Sequence, residues 1–207
     1  MEDLPLRISL FAMMLVSLSI HEAAHAWSAD RLGDSTARML GRLTLNPVPH
    51  IDPIGTLLLP LLSLATGFPL LGWAKPVPVN LQNLRDPRRD FMLIAAAGPA
   101  SNILQALVLA GVMRLMFPGG LDESFASLFL VQGIFLNLVL ALFNLIPVPP
   151  LDGGNVIGGL LPESLARSYD NLVRPFGFLF LYALMLTGVI TKIIVPPAIY
   201  LLRILVP

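Results

Sequence analysis

Leu6-Arg7-Ile8-Ser9-Leu10-Phe11-Ala12-Met13-Met14-Leu15-Val16-Ser17-Leu18-Ser19-Ile20-His21-Glu22-Ala23-Ala24-His25-Ala26-Trp27 is an apolar run that ends in two imidazoles and a carboxylate. Wound as a helix, it is about 33 Å long, enough for a hydrocarbon core of about 30 Å. It spans provided that Glu22 and the histidines face protein or water, because ionisable groups in lipid are costly. The rest of the chain has the same character. Of 207 residues, 56% are hydrophobic and 13% charged, about half the charge of a typical soluble domain. Mean hydropathy is +0.79. Thirteen Lys and Arg balance thirteen Asp and Glu, which argues against nucleic acid as the main partner. The absence of cysteine excludes a disulfide scaffold and any Cys-ligated metal.

Stretches free of Asp, Glu, Lys and Arg cover 8–21, 53–74, 91–113, 124–151, 175–191 and 193–202. They predict an all-α polytopic membrane protein with about five to six membrane segments. Pro196-Pro197 is expected to break the chain and leave Ala198–Val206 as a half-length tail. Pro53, Gly55, Pro60, Gly67, Pro69 and Gly72 punctuate the run 53–74, so a re-entrant or bent segment fits as well as a straight helix. Basic residues cluster at Arg31, Arg38 and Arg42, and at Lys75, Arg85, Arg88 and Arg89. The positive-inside rule puts both clusters in the cytoplasm of a cell-membrane protein, which favours re-entry. Alternating runs in 36–52 and 72–80 predict short strands at the membrane face. The first segment lacks a basic start and holds the reactive residues, so it reads as part of the mature fold. Residues 1–207 read as one domain, with a core at 6–160 and C-terminal helices at 173–206.

Within the first segment, His21-Glu22-Ala23-Ala24-His25 puts two imidazoles four residues apart on one helix face, about 6 Å along the axis. Two such imidazoles can hold one zinc ion, with Glu22 beside them as a general base acting on water. A tetrahedral catalytic site needs a third protein ligand and an open position for water. Glu2 lies outside the membrane segment, and Glu123 and Glu163 sit in loop-like stretches. Asp152 is best placed. It follows Phe143-Asn144-Leu145-Ile146-Pro147-Val148-Pro149-Pro150-Leu151 and precedes Gly153-Gly154. The prolines bar a regular helix there and the glycines allow close backbone approach. By itself the stretch reads equally as an unwound segment aiming a carboxylate and as a proline-rich turn capped by Asp ahead of a helix at Gly154–Leu161.

These motifs together resemble the site-2 protease family, the intramembrane zinc metalloproteases. The resemblance rests on His21-Glu22-x-x-His25, on Asn144-x-x-Pro147-x-Pro149-Pro150-x-Asp152-Gly153, and on Gly98-Pro99-x-x-Asn102 between them. Asn46-Pro47-x-x-His50-x-Asp52-Pro53-x-Gly55 and Gly72-Trp73-x-Lys75-Pro76-Val77-Pro78 resemble elements of the compact prokaryotic members, without a PDZ or CBS-like appendage. The resemblance covers about residues 10 to 160. It implies Zn2+ held by His21, His25 and Asp152, Glu22 as general base, and Asn144 holding the substrate backbone or the oxyanion. It implies transmembrane proteins as substrates and the lipid bilayer as surroundings. Water must reach such a site, and the basic loops place its opening on the cytoplasmic side. Where the family often has Arg after Asp-Gly-Gly, this chain has Asn155. A divalent-cation transporter using the same three side chains is the alternative, disfavoured because no second His-rich half is present. An inactive, helix-binding relative is disfavoured by the intact Glu22. His50 reads as a polar residue of a proline-rich loop. Asn102 reads as a hydrogen-bond donor behind the ligands.

Overall fold

The computed structural model describes residues 4–66 and 72–206. Every regular element among them is helical: α1 (Leu4–Arg31), α2 (Thr36–Met39), α3 (Leu59–Thr66), α4 (Pro87–Met116), α5 (Phe125–Asn144), α6 (Asp152–Leu160), α7 (Glu163–Leu172), α8 (Gly177–Leu186) and α9 (Val189–Leu205). Three of them, α1, α4 and α5, are long and apolar enough to cross a membrane. A fourth span is present if α7–α8 and α9, bent by 75° against each other, count as one. The five to six segments expected from composition are therefore three or four among the described residues. Near the C-terminus the apolar run is divided at Gly188, between α8 and α9. The ten residues of α8 reach only about 15 Å.

Helices α1, α4 and α5 pack on one another, α6 rests on α4, and α9 lies along α5. On α4 the buried residues Ile94, Gly98, Asn102, Ala106 and Ala110 recur every fourth position, the spacing of one helix face. All but Ile94 are small or polar. Within lipid, helices are held by close packing and interhelical hydrogen bonds, and both favour such residues. The outward side is the reverse: Ile103, Leu104, Leu107, Val108 and Leu115 of α4 are exposed. Polar groups inside and apolar groups outside suit a bilayer as solvent.

The break in the C-terminal region falls elsewhere than expected. The chain turns at Gly188, whose φ of +68° is left-handed, and α9 runs through Pro196 and Pro197. Two prolines forfeit two backbone hydrogen bonds. Burial of Ile194 and Ala198, with Ala198 packed among Ala106, Ile134 and Leu138, holds the helix together across them.

The described residues contain no strand, contrary to the expectation for 36–52 and 72–80. Part of the first stretch forms α2 and a 3-10 turn at Val48–His50. The second is extended but pairs with no ladder, since Pro76 and Pro78 lack an N–H. Three of its other amides go to separate partners: Lys75 N–H to the His50 carbonyl at 2.9 Å, Val77 N–H to Glu22 and Asn80 N–H to Asp34.

Residues 67–71, the middle of the run whose crossing the sequence leaves open, lie outside the described residues. Its two flanks meet. Trp73 N–H donates to the Gly55 carbonyl at 3.2 Å, and the Thr56 hydroxyl donates to the Trp73 carbonyl at 2.7 Å. The two basic clusters also lie together, because Arg42 donates to the Lys75 carbonyl and Asp34 accepts from Asn80 and Asn83.

Candidate active site

The last three turns of α1 carry His21, Glu22 and His25, all buried. Asp152 begins α6, immediately after the proline-rich turn. That turn is tight: a Cβ at Gly153 would run into the backbone carbonyls of Leu145 and Ile146. Only glycine lets the helix start fold back on the turn before it and aim the carboxylate at α1. The His21 Nε2 and His25 Nε2 atoms are 3.0 Å apart. Asp152 Oδ2 lies 3.2 Å from the first and 3.4 Å from the second.

The far side of each ring settles its tautomer. His25 Nδ1 is 2.7 Å from the Ile94 carbonyl, which can only accept, so Nδ1 carries the proton. His21 Nδ1 is 2.6 Å from Asn102 Oδ1 and donates to it. Asn102 therefore accepts from His21, where the sequence had suggested a donor. Both Nε2 atoms then present lone pairs toward Asp152 Oδ2, a buried atom with no hydrogen-bond partner. Three lone pairs within 3.4 Å of one another call for a cation. Ligands on a tetrahedral zinc ion, at about 2.0–2.1 Å each, sit about 3.3 Å apart. The observed spacings match one face of such a tetrahedron.

Glu22 also offers an oxygen within 4.8 Å of both imidazoles. Its Oε2 already accepts the Val77 N–H at 2.8 Å, so it stands beside the triangle while Asp152 closes it. Gly98 completes the wall, since a Cβ there would overlap His25 Nε2 and the His21 ring.

The other residues singled out from sequence have partners of their own. Asn144 ends α5 and its amide nitrogen donates to the Leu140 carbonyl at 3.0 Å. Buried His50 donates from Nε2 to the Thr44 carbonyl at 3.0 Å and pins its own loop. Glu163 pairs with Arg167 on the surface of α7. Asn155 meets an arginine in space, accepting from Arg174 Nη1 at 3.1 Å. Sequence reading missed three partners: the Val77 amide, the Ile94 carbonyl and Asn137. The first two are backbone groups with no signature in side-chain pattern. Asn137 did carry a signal, an amide within a charge-free run, since polar groups in membrane helices are expensive.

Residues 119–187 match the model of peptidase family M50. YwhC of Bacillus subtilis is 41% identical over 184 residues, which is 84% of this chain and 78% of that protein. Rip2 of Mycolicibacterium smegmatis is 34% identical over 194 residues, 89% of this chain and 69% of that protein. Rip2 of Mycobacterium tuberculosis is 34% identical over 181 residues, 86% of this chain and 67% of that protein. All three carry the name of a zinc metalloprotease. No solved structure matches the chain. Kinship along most of the chain, joined to a set of lone pairs spaced for zinc, places this protein in peptidase family M50 as a zinc metalloprotease.

Proposed function

We propose that the protein is an intramembrane endopeptidase, cutting peptide bonds within or beside the membrane-spanning segments of other proteins. His21, His25 and Asp152 are the metal ligands in this reading, and Glu22 is the general base. The observation that carries it is the convergence of the three lone pairs inside a bundle whose outer face is apolar.

Zinc, when bound, supplies Lewis acidity, polarising a carbonyl and bringing a coordinated water's pKa from about 16 to about 7. Glu22 supplies the proton transfer. Its Oε2 is held by the Val77 amide, which leaves Oε1 to take a proton from water and pass it to the leaving amine. Such acid–base work is worth about 10²–10⁴-fold. Asn144 holds the substrate backbone or the developing oxyanion, for which its amide must release the Leu140 carbonyl. A substrate helix hides its carbonyls in its own hydrogen bonds and must unwind before attack. Helix-weakening residues near the cut, and pairing of the unwound strand with the extended stretch at 72–80, meet that need.

The orientation follows from charge. Both basic clusters lie at the end of α1 that carries the site, and the positive-inside rule makes that end cytoplasmic. His25 is six residues from Arg31, about 9 Å along the helix, so the site lies near the cytoplasmic end of α1. The closed flanks Gly55 and Trp73 support re-entry of the segment between them.

The test reconstitutes wild type and Glu22→Gln with a membrane-spanning substrate and follows both cleavage and zinc content. The variant is expected to keep zinc and lose cleavage. Equal cleavage by both proteins would remove Glu22 from its role. Cation flux without peptide products would overturn the protease reading.

A further inference from the structure

Behind His21 runs a chain of buried amides. Asn102 Nδ2 donates to Asn137 Oδ1 at 3.1 Å. Asn137 Nδ2 donates to the Gly133 carbonyl and to the Ser17 hydroxyl, each at 3.1 Å. Ser17, Asn102 and Asn137 are at most 1% exposed. The Gly133 carbonyl has no proton to give, so it must face an N–H, and this sets the orientation of the Asn137 amide. Its oxygen then faces Asn102 and can only accept. That turns the Asn102 nitrogen toward Asn137 and the Asn102 oxygen toward His21. The oxygen demands a proton on His21 Nδ1.

We infer that Asn137 is a positioning residue that acts through Asn102 to keep the proton on His21 Nδ1, so that Nε2 is free to bind the metal. One backbone carbonyl of α5 is thereby transmitted through α4 to the tautomer of a ligand on α1. The inference rests on the proposed role of His21 as a zinc ligand.

The test measures zinc affinity of the full chain in detergent by competition with a chelating dye, with helicity recorded alongside. Outer partners of metal ligands are typically worth about 10–100-fold in affinity. Asn102→Leu is expected to lose about that much. Asn137→Leu is expected to weaken binding measurably, and the double variant to bind no worse than Asn102→Leu alone. Asn137→Asp keeps the shape and keeps an acceptor for Asn102. It is expected to bind zinc as wild type does, and it serves where the leucine variant fails to fold. Wild-type affinity in a folded Asn137→Leu, additive losses in the double variant, or a loss in Asn137→Asp equal to that of Asn102→Leu would each overturn the inference. His21→Ala separates the two readings. If it keeps wild-type zinc affinity, the ligand assignment itself fails. If it loses zinc while Asn137→Leu does not, only the positioning role fails.

Discussion

A methyl group on Gly98 would occupy the space of the two imidazoles, so this glycine is a condition of the proposed metal site more than of the helix. Gly98→Ala improves intrinsic helix propensity, yet it is expected to weaken zinc binding. Overpacking typically costs 1–3 kcal/mol, about 5- to 150-fold in an equilibrium constant. Isothermal titration of the variant beside its melting curve separates the effects: affinity falls while thermal stability does not fall in proportion. The same scale shows what could be read in advance. His21, Glu22 and His25 lie within five residues, and helix periodicity puts the two imidazoles on one face. Asp152, by contrast, reads locally as either a ligand or a cap, and only the resemblance to a family favoured the ligand. Its placement within 3.4 Å of both imidazoles depends on how α6 leaves the proline-rich turn.

At the scale of elements, the extended stretch 72–80 works as a strap over the site. It is tied at Lys75 and Asn80, with the Val77 amide on Glu22 between the ties. Val77→Pro removes that single donor and keeps the chain extended between its neighbouring prolines. A hydrogen bond to a charged group is worth about 1.5–3 kcal/mol. Cleavage by the variant is expected to fall by about tenfold or more at unchanged zinc content; undiminished turnover would show that the strap does not orient the base. In the C-terminal region, Gly188 sets the bend with its left-handed backbone. A Cβ there meets nothing within 4 Å, so Gly188→Ala tests conformation alone. It is expected to lower stability by about 1–2 kcal/mol, read as a shift in the melting midpoint in detergent. Composition could not locate this bend, because a proline pair inside a helix and a proline pair that ends one have the same sequence. The packing of Ile194 and Ala198 decides between them.

For the whole molecule, the arrangement of the two basic clusters is the feature with the widest consequence. The chain contains no cysteine, so single cysteines at Gln82 and at Asp122 report sidedness without background. Gln82→Cys is expected to react with an impermeant maleimide from the cytoplasmic face, and Asp122→Cys from the opposite face. Labelling of both from one side would reject the orientation. Asp34 joins the loop after α1 to the loop before α4. Burial raises its pKa, but hydrogen bonds from the Thr36 hydroxyl, Asn83 and the amides of Asn80 and Thr36 outweigh this and hold it below the usual carboxylate value. A lowered folded-state pKa contributes stability that is present above the unfolded value and lost as pH falls through the folded one. Asp34→Asn is therefore expected to melt lower than wild type at neutral pH, with the gap closing below about pH 4. A gap independent of pH would show that the charge plays no part.

The order of the motifs, the apolar composition and the helical spacing of the two imidazoles were determined by the sequence alone, since each depends on neighbours along the chain. The number of spans, the absence of strands among the described residues, the closure of Asp152 on the imidazoles and the amide chain from Gly133 to His21 were decided by the tertiary structure. These depend on contacts between residues tens of positions apart, where helix packing and backbone carbonyls choose among side-chain arrangements that local pattern leaves equal.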